Sequence, residues 1–373
     1  MMSDPFTRLL AAGLAMSNAS VASAKNVGSP PAPQTTCGPA GSDHADMPSG
    51  AACRLADELD KAFVYPAQGA AYAAMLRANV AAGRYADQLP MDAARMMTAD
   101  LQAVAPDGHL RVEKEDERRQ TGGNAPGKGH PPVLERGGWI APGIAFLRIN
   151  AFLPDDQETA DVAKFMADHA DAEAIIFDLT THGGGGLAQM DVIFPWLFGE
   201  ETRLVTMAMR RSVEEEHGTP FGDGPTMRKL AGTARETVRE HWALPNDDPR
   251  LRDARIVLLT SERTASAAEH FALAMKHTGR ARLVGSHTAG ANHFGGGVSL
   301  GGGLSAFISI GRTYDPLTGR DWEGTGVLPD LECPPERALE YALRSLGVAP
   351  EMAAELEAEY IPDPERMKRR RPA

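Results

Sequence analysis

The sequence is short of several things, and each shortage removes a class of protein. Positive charge is scarce: 38 Lys and Arg stand against 50 Asp and Glu, and the formal net charge is -12. A nucleic-acid partner needs a basic face, so none is expected. The only dense basic run, Lys368 to Arg371, lies in the tail, where charge runs are ordinarily solvated. No apolar run is long enough to cross a bilayer, which argues against stable membrane insertion. Three cysteines make no disulfide framework; Cys37 and Cys53 could pair in an oxidising compartment, leaving Cys333 over. The eleven histidines include no H-E-x-x-H and no close pair at helical ligand spacing, so no catalytic metal is expected. Phosphate-bearing cofactors are no better served. The glycine run Gly183 to Gly186 lacks G-x-G-x-x-G spacing, and no Lys-Ser/Thr pair follows it.

What remains is an ordinary globular composition, 43% hydrophobic and 24% charged, on 373 residues with room for about two domains. Residues 1–24 read as an export signal, with Arg8 before the apolar LLAAGLAM segment and Ala22-Ser23-Ala24 as a cleavage site. That signal would place the protein in the periplasm or outside the cell. Residues 25–50, rich in Pro, Gly, Ser and Ala, read as a flexible linker. Leu55, Leu59 and Phe63, then Ala71, Met75 and Leu76, then Ala93, Met96, Met97, Leu101 and Val104 recur at helical spacing between turn signals at Pro66 and Leu89-Pro90. They predict a small helical domain over 51–108, ending in Asp107-Gly108-His109-Leu110.

The charged, Gly/Pro-rich stretch from Glu113 to Gly138 reads as a mobile loop or an irregular hairpin. The period then changes across a core that runs from 109 to 346. A strand at Gly143 to Ile149, a helix at Glu158 to His169, a buried strand at Ala174 to Leu179, the glycine loop and a helix at Leu187 to Leu197 form the grammar of a parallel α/β sheet. A strand at Glu201 to Met209 follows, then a charged excursion from Arg210 to Asp253 with helical parts around Met227 to His241. A strand at Arg282 to Gly285, a Gly-rich meander from Gly295 to Gly311 and a helix at Glu336 to Ser345 complete the core. Residues 347–373 read as a charged helix and tail.

The centre of this core is the stretch from Ile256 to His277. Its apolar opening has the length and β-branched content of a buried strand, and Ala-rich helical spacing begins near Ser266. A hydroxyl at such a strand-to-helix turn projects from the sheet end, and the N–H groups of Ala267 and Ala268 have no intrahelical partners. Ser266-x-x-Glu269 is also a capping box. The glycine loop offers N–H groups that can approach a developing oxyanion without side-chain obstruction. In an open parallel sheet, both loops would lie at the carboxyl ends of the strands.

Thr264-Ala-Ser266-Ala-Ala-Glu269, then Val284-Gly285-x-x-Thr288-Ala289-Gly290, then Asp315-Pro316 and Trp322-Glu323-Gly324-x-Gly326-Val327-x-Pro329-Asp330 resemble, in content and order, one family of serine peptidases. That family includes the C-terminal processing proteases, the tricorn core protease and the repeats of interphotoreceptor retinoid-binding protein. The resemblance implies an α/β, crotonase-like (ClpP/crotonase) core behind a small N-terminal helical bundle, with no PDZ domain, because Leu110 to Gly143 is too short for one. It implies a nucleophile at Ser266 and an oxyanion hole made by the Ala267 N–H with that of Gly184 or Gly185. Processing proteases draw their base from a G-K-G block, but the matching block here is Gly290-Ala291-Asn292. His109 is placed as in the tricorn-like and retinoid-binding-protein-like branch, and Glu323 would complete the site. Glu269 is then a cap or structural partner of the helix start, and Glu269 and His182 are candidate supporting residues of the site. Thr180 and His182 stand where the family carries arginine and asparagine, and Gly108 where the tricorn branch has serine. Peptides or unfolded proteins are the implied substrates, without a cofactor; the rival expectation is an inactive member that binds a hydrophobic small molecule or peptide. Oligomeric state is left open.

Overall fold

The computed structural model describes Cys37 and residues 47–115 and 132–369. The expected export signal and nearly all of the expected linker lie outside the described residues.

Three helices, α1 (Pro48–Ala62), α2 (Pro66–Ala81) and α3 (Pro90–Val104), each begin on a proline. Its fixed φ suits a first helical turn, and its missing N–H loses nothing there. Helix α1 therefore starts just inside the stretch expected to be linker. Leu55, Leu59, Leu76, Met97 and Leu101 point inward and share one apolar cluster with Val112, Met209, Leu300, Leu304, Ala306 and Ile308. Those partners belong to an antiparallel sheet, so the helical layer is seated on it. Its strands are β1 (Val112–Lys114), β5 (Thr202–Arg210), β6 (Met227–Leu230), β7 (Glu236–Ala243), β10 (Phe294–Gly301) and β11 (Leu304–Tyr314), in the order β1-β11-β5-β7-β6 with β10 also on β11.

The helix expected around 227–241 is a correction: those residues form β6 and β7. The charges that made the segment look like a solvated helix are paired in the fold. Arg239, 2% exposed, bonds Glu214 of α6 (Arg211–His217) at 2.8 Å and Asp223 at 2.7 Å. The expected loop from Glu113 to Gly138 is likewise ordered at both ends, as β1 and β2 (Leu134–Ala141); residues 116–131 lie outside the described residues.

The second sheet has the order β12-β9-β8-β4-β3-β2. It comprises β2, β3 (Ile144–Ile149), β4 (Ala174–Asp178), β8 (Arg255–Thr260), β9 (Ala281–Gly285) and β12 (Leu331–Glu332), parallel except for the β2–β3 hairpin. Side chains alternate across it. Ile175, Phe177 and Leu258 meet Phe271 and Met275 of α7 (Ala267–His277), in a cluster that also takes in α4 (Asp156–Asp168) and α5 (Ala188–Leu197). Ile176, Val257 and Leu259 face α8 (Ala338–Ser345) and α9 (Pro350–Tyr360) on the other side. Burial on both faces explains the unbroken apolar runs of β4 and β8. Asp178 pairs with Leu259, and Thr260 with Gly285, so the loops after β4, β8 and β9 leave from one edge. Cys37 and Cys53 form a disulfide.

Candidate active site

At that edge the glycine loop and the turn before α7 are stitched together. The Thr264 hydroxyl donates to the Leu179 carbonyl at 2.8 Å, the Ser261 hydroxyl reaches the Thr180 carbonyl at 2.6 Å, and the Ala265 N–H donates to the His182 carbonyl at 3.1 Å. Asp178 is buried in an ion pair with Arg148 at 2.7 Å and accepts the Thr180 N–H and hydroxyl at 2.9 and 2.6 Å. Thr180 thus closes the strand end over Asp178.

Ser266 has φ 57° and ψ -118°, and it is the only non-glycine with positive φ among the described residues. Such a backbone costs roughly 1–3 kcal/mol and persists only where its surroundings impose it. The imposing group is Glu269, which is fully buried. It accepts the Ser266 N–H at 2.8 Å, the Gly290 and Ala291 N–H groups at 2.7 and 2.9 Å, and the Thr288 hydroxyl at 2.5 Å. Burial pushes its carboxyl up to about 6, against the pull of these donors. Glu269 therefore clamps the serine turn to the 288–291 loop. In α7 the N–H groups of Ala268 and Glu269 turn back to the carbonyls of Ala265 and Ser266, while that of Ala267 finds no partner among the described residues.

Gly184 lies directly against the serine. A β-carbon on it would stand 2.8 Å from Ser266 Cβ and 3.4 Å from Oγ, and its φ is 104°. The two expected oxyanion donors differ, however. The Gly184 N–H already donates to His182 Nδ1 at 3.0 Å, whereas the Gly185 N–H makes no hydrogen bond among the described residues. Burial pushes His182 down to about 3, with Arg263 adding to it, so the ring is a neutral acceptor that shapes the loop.

His109 follows α3, on the strap that leads into β1. Its ring stacks on Phe307 with centroids 5.0 Å apart, its Nδ1 is buried without a hydrogen-bond partner among the described residues, and burial pushes the imidazole down to about 4. No hydrogen bond joins it to Ser266 or to Glu323. Glu323 instead holds the backbone beside it, accepting the Gly108 N–H at 2.5 Å and the Asn292 and His293 N–H groups at 2.7 and 3.2 Å. The strap approaches so closely that a β-carbon on Gly108 would stand 2.9 Å from Ala291 Cα and from the Gly290 carbonyl. A serine at 108 would not fit this packing.

The sequence reading missed two members of this cluster, Asp107 and His293. Asp107 accepts the His109 and Leu110 N–H groups, both at 2.8 Å, and His293 Nδ1 at 2.6 Å. Burial disfavours both charges, yet the shared hydrogen bond carries Asp107 down and His293 up, as an ion pair. The available signal was an acid two residues before the histidine in Asp107-Gly108-His109; nothing local marked His293. Asp107, His293 and Glu323 each place a ligand atom within 4.8 Å of the others, a set that could hold a cation. Their oxygens already receive N–H groups, and 2.6 Å between Oδ2 and Nδ1 is a shared proton rather than two ligands on one ion.

A cavity of about 920 Å³ has His109 on its wall together with Gly183, Arg263, Ala265 and Ala291, the neighbours of Ser266 and of its clamp. The cleft thus lies between the histidine strap and the serine turn.

The profile of Peptidase family S41 matches residues 143–333, and the chain belongs to that family. This is the family that the ordered sequence motifs resemble. Chloroplastic carboxyl-terminal-processing peptidase 3 of Arabidopsis thaliana is 25% identical over 189 residues, covering 50% of this chain and 31% of that protein. A carboxyl-terminal-processing protease of Picosynechococcus sp. is 34% identical over 93 residues, 25% of this chain and 22% of its own. The chain is thus matched to about a third or less of the length of these relatives. Among solved structures, the photosystem II D1 C-terminal processing protease superposes with a TM-score of 0.52 at 14% identity, over 81% of this chain and 98% of its own. A candidate peptidase from Parabacteroides merdae gives 0.54 at 16%, over 83% and 96%. At such identities these structures speak to the fold alone. Ser266 and Glu323 lie inside the matched stretch and His109 outside it.

Proposed function

We propose that the protein is an exported serine-type endopeptidase of the periplasm or cell exterior, with a crotonase-like core and no PDZ domain, that cleaves peptides or unfolded proteins through an acyl-enzyme. The observation that carries this reading is the strained Ser266 backbone, held by Glu269 against Gly184 beside the unpartnered Ala267 N–H. Ser266 Oγ attacks the scissile carbonyl as His109 takes its proton. The Ala267 and Gly185 N–H groups receive the oxyanion, with Gly184 leaving room for it. His109 returns the proton to the departing amine, and water then hydrolyses the ester by the same steps in reverse. Glu323 acts at one remove, fixing the peptide before His109. Substrate seating must bring ring and hydroxyl into contact, since catalytic hydrogen bonds commonly tighten only in the substrate complex.

The missing contact favours a second reading, an inactive relative that uses the cavity for a hydrophobic ligand; the volume suits one. Labelling with an active-serine fluorophosphonate separates the two. Wild type should label and Ser266→Ala should not, and a folded wild type that stays unlabelled would defeat the peptidase reading.

A further inference from the structure

Three titratable side chains that the proposed chemistry leaves unused form a chain of hydrogen bonds in the core. Asp191 Oδ1 lies 2.8 Å from His241 Nε2, and His241 Nδ1 lies 2.9 Å from His270 Nε2. Both histidines are buried, and Asp191 is half-buried. Its carboxylate only accepts, so His241 Nε2 carries a proton; with neutral rings, His241 Nδ1 is then bare and His270 donates to it from Nε2. Burial, with His241 alongside, holds the His270 imidazole well below its ordinary value, which keeps that ring neutral. The three residues come from three different elements around the serine. His270 is one turn into α7, and its N–H donates to the Ser266 carbonyl at 3.0 Å. Asp191 is in the first turn of α5, and its N–H donates at 3.1 Å to the carbonyl of Leu187, the residue that follows the glycine loop. His241 belongs to β7 of the other sheet, opposite Val205 and Met227. Phe194 of α5 also stacks on Phe271 of α7, with centroids 5.2 Å apart. Apolar contact of that kind has no direction and tolerates sliding, whereas a satisfied buried chain of hydrogen bonds admits one relative placement.

We propose that His241 is a positioning residue for the oxyanion hole: from β7 it sets α5 against α7, and so the Gly185 N–H against that of Ala267. Its effect on rate rests on the peptidase reading; its effect on placement does not. In the full chain, His241→Phe keeps a ring against Phe194 but loses both hydrogen bonds, while His241→Gln offers an amide donor to Asp191 and an acceptor to His270. Fluorophosphonate labelling across probe concentration separates the rate at saturation from the apparent affinity. Outright loss of an oxyanion donor slows such chemistry at least about a hundredfold, and displacing one should slow it less, so His241→Phe should lower the saturated rate about tenfold with affinity within about twofold. His241→Gln should recover to within about twofold of wild type. A residue that only stabilises the fold would lower the melting temperature and leave the saturated rate of the folded chain alone. That result, or a Gln variant as slow as the Phe variant, would overturn the proposal. Should His241→Phe not fold, Asp191→Ala, at a half-exposed position, should give a similar fall, and an unchanged rate there would be equally fatal. If wild type itself does not label, the peptidase reading fails separately and amide NMR decides the placement. The Gly185 and Ala267 signals should move in His241→Phe, or in Asp191→Ala, and return in His241→Gln; signals that stay put would defeat it.

Discussion

The strain at Ser266 has a measurable counterpart. Glycine adopts positive φ freely, so Ser266→Gly should be more stable than Ser266→Ala by about 1 kcal/mol in denaturant unfolding, with both inactive. Equal stabilities would mean that the serine backbone carries no strain. His109 makes a second prediction. A base works unprotonated, and burial holds this imidazole at about 4, so the labelling rate should fall only as pH drops through about 4 and stay level above it. A limb near the ordinary histidine value of 6.5 would remove His109 as the base in this environment. As candidates, Ser266 was marked in the sequence by a strand-to-helix turn and His109 by a motif resemblance. Asp107 and His293 were not, because their pairing is made by residues far apart in the chain, and burial rather than sequence context turns them into an ion pair.

At the scale of elements, β4 and β8 were readable because burial on both faces leaves no polar alternation to confuse them. Strands β6 and β7 were not, because Arg239 looks solvated until Glu214 and Asp223 are brought to it. The glycine loop was visible as a run of four, but the division of labour within it was not: His182 takes the Gly184 N–H and leaves that of Gly185. Gly184→Ala should therefore damage both fold and function. It places a methyl 2.8 Å from Ser266 Cβ at a φ of 104°, and it should cost about 1–3 kcal/mol and lower labelling at least about a hundredfold. Near-normal labelling of a folded variant would show that the loop and the serine are not held in contact. Glu269→Gln tests the clamp. Four donors converge on two carboxylate oxygens, and an amide turns one acceptor into a donor facing them, so about 2–4 kcal/mol should be lost in unfolding experiments. A loss under about 0.5 kcal/mol would contradict that role.

For the molecule as a whole, the Cys37–Cys53 bond spans 16 residues, and closing such a loop is worth about 3 kcal/mol in the chain-entropy description. A Cys37→Ser, Cys53→Ser double variant should melt several degrees lower under oxidising conditions and match wild type under reducing ones. Unchanged melting would mean that the cross-link contributes nothing. The larger architecture has a further effect. His109 rides on a strap packed against β11 and the helical layer, whereas Ser266 belongs to the parallel sheet, and the two are sealed by different apolar clusters. In the mechanism proposed above, turnover would depend on how well two separately cemented blocks are aligned across a shared joint. Emptying a little volume deep in the helical block, far from any bond being broken, should throw that alignment off and slow the chemistry while leaving the serine's own surroundings intact.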